Sequence, residues 1–305
     1  MQCIAFLSAV LTALSVGVSG LALPVNEGYA EPCEYTAIKQ NQSSILGYQL
    51  AGIADSPRDN DQTCNELKNS ATARTFADSG LDLPNIQKPV CSASSSNTDA
   101  VAALPYIVNA NTKVFTSQIT SAIPASNQEG FAYLCDNIRF KQLSAFYLDD
   151  NTIVGAACDR GGPEAAISPQ PFVSLAPPPA DQVLKNYNVA ASRQFAWNWC
   201  AKAKDTNELQ SYCSMAGQAE FKQKLNSLQL DPETVRGIAC SQQQVPNAQT
   251  LATKVKNAQS DQFATVVRNM SNAPNWRSKI CGYLSCAEMD KVGLDGDRVW
   301  NKVCQ

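Results

Sequence analysis

The side chains best equipped for chemistry in this sequence are thiols and carboxylates. The 305-residue chain holds 12 cysteines, 27 Asp and Glu residues and no histidine. Without histidine there is no Ser-His or Cys-His catalytic pair and no His-ligated metal. A structural zinc site built from thiolates needs four of them at close spacing, and redox pairs use Cys-x-x-Cys. Cys281-x4-Cys286 suggests either only faintly. Asp149-Asp150-Asn151 and Asp295-Gly296-Asp297 look like fragments of calcium loops, but neither has the closing glutamate an EF-hand requires. No metal and no cofactor is expected. Carboxylate catalysis stays open. A glycosidase needs two carboxyl groups facing each other across a cleft, whereas the acidic residues here are dispersed. A carboxylate-dependent extracellular hydrolase such as a glycosidase is therefore the alternative reading, and no catalytic residue is assigned.

Binding chemistry points to the aromatic residues. All four tryptophans, Trp197, Trp199, Trp276 and Trp300, lie in the second half, two of them in Phe195-Ala196-Trp197-Asn198-Trp199-Cys200. Tryptophan is enriched at binding hot spots and is also ordinary filling beside a disulfide. Phe195, Trp197, Trp199, Trp276 and Trp300 are the candidate residues for a ligand or partner.

The elements that must position these residues announce themselves as a repeat. Leu81-Asp82, Leu148-Asp149, Leu230-Asp231 and Leu294-Asp295 all obey Leu-Asp-x3-[Ile/Val]-x4-Cys. Chance would put Leu-Asp at that offset before roughly one cysteine in a few hundred. The physical sense is a helix start. The Asp side chain takes an unpaired backbone N–H, and Pro232 suits the first helical position. Leu230 and Val235 form a hydrophobic staple. Capping accounts for these aspartates better than metal binding does.

The cysteines share the rhythm. Cys64 to Cys91 and Cys213 to Cys240 are each 27 positions, and Cys135 to Cys158 and Cys281 to Cys304 are each 23. The expected disulfides are Cys64–Cys91, Cys135–Cys158, Cys213–Cys240 and Cys281–Cys304, each closing one helical hairpin and contributing about 3 kcal/mol in the chain-entropy model. Phe140-Lys141-Gln142 recurs as Phe221-Lys222-Gln223, and Gly80-Leu81-Asp82 as Gly293-Leu294-Asp295.

Residues 1–22 read as a secretory signal peptide, with an apolar run from Ile4 to Val18 and small residues before a cleavage near Ala22. Its removal leaves eleven cysteines, so Cys33, Cys200 and Cys286 contain one odd thiol, free or linking a dimer. No stable membrane anchor is expected. Asn41 and Asn269 head glycosylation sequons.

The expected fold is mainly α: two tandem disulfide-stapled helical repeats, each of two related helical hairpins. The first spans 23–158, with a segment over 24–63 that is irregular apart from one helix near Cys33, and a helix over 98–123 that Pro105 kinks or starts. A Pro/Gly-rich linker covers 159–182, and the second repeat spans 183–305 with a long helix from Asn247 to Met270. Residues 24–158 carry 14 acidic and 8 basic side chains, residues 159–305 carry 13 and 16. A formal net charge of -3 gives no electrostatic case for nucleic acid. The functional expectation is a secreted non-enzymatic binding protein. It would hold an apolar small molecule between helices or engage a host or cell-surface protein as an effector does.

Overall fold

A helix that ends in mid-chain leaves carbonyls unpaired, and the next helix begins with unpaired N–H groups. Every Leu-Asp step solves both problems at once. The residue before Leu is left-handed, with φ of 88° at Gly80, 56° at Tyr147, 60° at Gln229 and 79° at Gly293. The Leu N–H then donates to the carbonyl five residues back: Leu81 to Phe76 (2.9 Å), Leu148 to Leu143 (3.3 Å), Leu230 to Leu225 (2.9 Å) and Leu294 to Met289 (3.1 Å). This is a Schellman ending. The Asp carboxylate opens the next helix, accepting from the N–H of Thr152 (2.7 Å), Thr234 (2.9 Å) or Arg298 (3.0 Å). At Asp82 it accepts from the side-chain amide of Asn85 instead.

The computed structural model describes residues 33–93, 99–138, 142–160 and 181–305. The expected signal peptide, most of the linker and Phe140-Lys141 lie outside these residues. Four times along the chain a long helix is followed by three shorter turns of helix. First come α1 (Cys33–Ile53), α2 (Pro57–Leu67), α3 (Ser70–Asp78) and α4 (Leu83–Ala93). Next are α5 (Ala100–Ala122), α6 (Gln128–Asn137), a 3-10 turn (Ser144–Phe146) and α7 (Asp150–Arg160). The second half runs α8 (Asp181–Ala201), α9 (Thr206–Ala216), α10 (Ala219–Ser227) and α11 (Pro232–Ser241). It closes with α12 (Ala248–Asn269), α13 (Trp276–Tyr283), α14 (Cys286–Lys291) and α15 (Gly296–Cys304). No strand occurs among the described residues. The disulfides join Cys64–Cys91, Cys135–Cys158, Cys213–Cys240 and Cys281–Cys304, the pairs the spacing implies.

A buried hydroxyl on each long helix ties the capped helix to it. The N–H groups of Asp82, Asp149, Asp231 and Asp295 donate to Ser43 (2.8 Å), Thr112 (2.9 Å), Ser192 (2.6 Å) and Ser260 (2.8 Å). Thr112, Ser192 and Ser260 in turn donate to the carbonyl one turn back in their own helix. Counted from these hydroxyls, the same positions are buried in all four helices. Three residues on stand Leu46, Phe115, Phe195 and Phe263; seven on stand Leu50, Ile119, Trp199 and Val267.

The long helices pair antiparallel. Gly52 of α1 meets Ala100 and Ala103 of α5, while Tyr48 stacks on Tyr106 at 4.7 Å. In α8 and α12, Arg193 reaches Asp261 and Trp197 lies under Lys254. One hydrophobic core runs through both halves, with Phe115 against Phe263 (5.4 Å) and Tyr133 against Trp276 (5.6 Å).

Two expectations change. The helix expected near Cys33 is present as α1, but it runs for 21 residues as one of the four central helices, and α2 follows from Pro57, so the segment is far more helical than expected. The apolar stripe of α1, formed by Ile38, Ile45, Leu46, Leu50 and Ile53, is interrupted by Gln42, Ser43 and Gln49, which are buried as well. Ser43 fits there because it accepts the Asp82 N–H, so burial does not follow hydrophobicity alone. Pro105 lies inside α5. The carbonyl that loses its donor belongs to Val101, a residue 68% exposed, where a missing bond costs least because solvent is within reach.

Candidate functional site

The aromatic candidates do not share a surface. Phe195 and Trp199 stand one turn apart on α8 and face inward together. Trp199 stacks on Tyr212 (4.5 Å) and Phe221 (5.1 Å). Trp197, between them in sequence, points to the other side of the helix, where it is half-buried beneath the Lys254 ammonium at 5.3 Å. Trp276 is 3% exposed, and its indole N–H donates to the Val267 carbonyl at 2.8 Å. Trp300 is half-buried on α15. Three of the five fill the core.

The interior is nearly full. Where the four long helices meet there is a cavity of about 20 Å³, bordered by Gln42, Asn111, Gln118, Gln194, Gln259 and Gln262. A second of about 20 Å³ lies beside Gln49, Tyr147 and Gln229. Each suits one water molecule, and both borders are rich in amides. Cys200, the free thiol among the described side chains, is wholly buried. Burial pushes its pKa up to about 12, which keeps it protonated and inert, and it has no surface from which to reach a second chain. Cys286 is disulfide-bonded.

Two carboxylates are also buried. Glu66 on α2 meets the buried Lys202 at the end of α8 at 2.5 Å, with Lys204 at 3.6 Å. Gln62 donates to it as well. Burial acts to raise the Glu66 pKa, but Lys202, Gln62 and Lys204 outweigh it and hold the group below its ordinary value. Asp261 on α12 accepts from Arg298 at 2.5 and 2.8 Å in a two-pronged contact, from Lys302 at 2.7 Å, and faces Arg193 at 3.6 Å. Again burial opposes the charge, and Arg298 and Lys302 outweigh it, so its pKa is lowered. Neither group is a proton donor near neutral pH. Every described carboxyl group with a displaced pKa is displaced downward: Glu66, Asp149, Glu233 and Asp261. A general acid of a glycosidase needs the opposite shift.

The open site that sequence reading missed lies on the Asp261 side. A groove of about 610 Å³ runs between α8, α12, α13 and α15. Arg193, Arg268, Arg277 and Lys302 line it, and Asp261 is the one acid among its lining residues. A neighbouring depression of about 490 Å³ shares Arg268, Asn269 and Arg277 and continues past Asn272, Asn275 and Ser278. Arg268 donates to the carbonyl of Lys302 at 3.0 Å, and Cys281–Cys304 staples α15, which carries Arg298 and Lys302, to α13. Of these cations, Arg268 lies on α12 and Arg277 on α13. Arg193 and Lys302 come from helices before and after them, so no run of charge marks the groove.

The two sequon asparagines are half-buried in helices. Asn41 donates to the Ala37 carbonyl at 2.8 Å, and Asn269 to the Thr265 carbonyl at 2.7 Å. No group of His, Cys, Asp and Glu suited to a metal ion occurs among the described residues. Compared with known proteins, the chain matches no family model, no curated sequence and no solved structure.

Proposed function

We propose that this chain is a secreted, non-enzymatic binding protein that meets its partner on its outer surface. The observation carrying this reading is a contrast in space: the cavities between the central helices take about one water each, whereas the groove outside α8 and α12 is some 610 Å³. An apolar ligand has no room between the central helices, and a surface partner does. The downward shift of the displaced carboxyl groups weighs against acid catalysis.

Secretion is supported by the apolar leader with its small-residue end, the disulfides and the fact that no described helix is long and apolar enough to cross a membrane. The scaffold is read as four copies of one hairpin in two tandem pairs. The recurring left-handed residue, Leu N–H bond, Asp cap, buried hydroxyl and disulfide support that reading.

Native mass spectrometry of the secreted protein, followed by organic extraction, tests the whole. The expected result is a chain beginning near Leu23, with its cavities empty of lipid and a partner retained only in non-denaturing pull-down. A reproducible lipid in the extract overturns the surface reading. A chain that stays inside the cell overturns secretion.

A further inference from the structure

We propose that the groove between α8, α12, α13 and α15 binds a segment of an acidic polysaccharide, its sulfate or uronate groups against Arg193, Arg268, Arg277 and Lys302 and its hydroxyls against the neighbouring asparagines. The inference rests on the surface-binding reading above and names the partner's chemistry.

Charge comes first. Four cations line the groove, and its one carboxylate, Asp261, is already held by Arg298 in a two-pronged contact. Lys302 and Arg193, beside the same carboxylate, keep 45% and 50% of their side-chain surface open to solvent. They are oriented by Asp261 on one side and remain available on the other. Arginine suits planar anions because its fork of donors matches carboxylate and sulfate oxygens. Arg268 is steadied by its bond to the Lys302 carbonyl, which lowers the entropy lost when a ligand arrives.

The uncharged lining then chooses among anions. Asn186, Asn272, Asn275 and Ser278 are exposed along the two adjoining depressions, with Asn269 where they meet. Amides that both donate and accept suit the hydroxyls of a sugar. A single-stranded nucleic acid wants aromatic faces for its bases, and a protein partner wants aromatic or apolar anchors. The aromatic residue lining this surface, Trp276, is 3% exposed and its N–H is used internally. The apolar lining residues Val183, Val189, Ala190 and Ala264 are half-buried or buried, and the side chains exposed along the surface are cations, amides and a serine, which match neither.

The test is isothermal titration of the full secreted chain near 150 mM salt with four probes: a sulfated glucosamine–uronate octasaccharide, a galacturonate octasaccharide, a single-stranded DNA octamer and phosphatidylserine vesicles. One or both octasaccharides are expected to bind more tightly than DNA or vesicles, and the stronger of the two assigns sulfate or uronate. Arg268→Gln with Arg277→Gln should weaken that binding about a hundredfold, roughly tenfold for each charge-assisted contact. Arg74→Gln with Lys113→Gln, neither of which lines the groove or the adjoining depression, should change it less than twofold. Arg277→Gln alone, on the exposed face of α13, gives the same answer at about tenfold should the double variant misfold. Equal binding by groove and control variants, tighter binding of DNA or vesicles, or a native glycan on Asn269 filling the groove each overturns the proposal. An octasaccharide that binds and is cut overturns the non-enzymatic reading and leaves the groove assignment standing. A secreted, partner-retaining chain that ignores all four probes does the reverse.

Discussion

Glu66 and Asp261 have nearly the same burial, with 5% and 4% of their side chains exposed, and both are held ionised by cations. Their partners differ. Lys202, which meets Glu66, is itself only 8% exposed and belongs to the other half of the chain. Lys204, 54% exposed, also approaches Glu66, but the depression of about 410 Å³ that they border is lined by two acids, Asp61 and Glu66, and two cations, Arg58 and Lys204, so no charge is left over. Arg298, Lys302 and Arg193 around Asp261 are 36%, 45% and 50% exposed. One carboxylate there organises more positive charge than it neutralises, and the surplus faces an open groove. The same device, a buried carboxylate, is a clasp between halves in one place and a holder of binding groups in the other.

Removing each acid should separate these roles most sharply. Glu66→Gln strands a buried ammonium and should lower stability by about 3–5 kcal/mol in urea unfolding. Glu66→Leu combined with Lys202→Met should recover most of it, because both charges leave together. Asp261→Asn leaves cations that can turn to water, so the loss should be about 1–2 kcal/mol. Similar losses for the two single variants would erase the distinction.

The staples offer a second cut. Replacing Cys64 and Cys91 by Ala loosens α2, which carries Glu66; replacing Cys281 and Cys304 loosens α15, which carries Arg298 and Lys302. Each pair should cost about 3 kcal/mol. Only the second should also weaken octasaccharide binding, measured by titration under folding conditions.

Acid should act on both sites in the same direction. Both carboxyl groups have folded pKa values below their ordinary values of 4.5 for Glu66 and 3.8 for Asp261. Their contributions are therefore complete above those values and are lost as pH falls through the lower folded pKa values. The melting temperature should be insensitive to these two groups from pH 7 to 5 and drop below about pH 4. Glu66→Gln should flatten part of that drop.

The smallest effect belongs to the chain reversals that both regions share. Gln229 sits at φ 60° where Gly80 and Gly293 stand in the equivalent turns. Gln229→Gly should stabilise by about 0.5–1 kcal/mol, and Gly80→Ala should destabilise by about 1 kcal/mol, both in urea unfolding.

Those turns also show how far the sequence could be read. The Leu-Asp steps and hairpin cysteines were legible because their residue types recur at fixed offsets. The left-handed residue was visible only at Gly80 and Gly293, since Tyr147 and Gln229 adopt the same conformation without the glycine that usually signals it. The hydroxyl beneath each Asp was hidden because it alternates between Ser and Thr and lies 35 to 39 residues earlier. The helix near Cys33 was legible, but its length and central place were obscured by Gln42, Ser43 and Gln49 within its buried face. The tryptophans signalled size and apolarity, which serve a core as well as a surface, and Trp199 and Trp276 went to the core. The groove was illegible because its cations come from four helices whose order in space is fixed only by packing.

Hydrogen exchange of the native chain with and without the acidic octasaccharide tests the central claim most directly. Protection confined to peptides around Arg193, residues 265–278 and residues 298–302 is the expected result. Protection centred on α1 to α4, or none at saturating octasaccharide, would contradict the account.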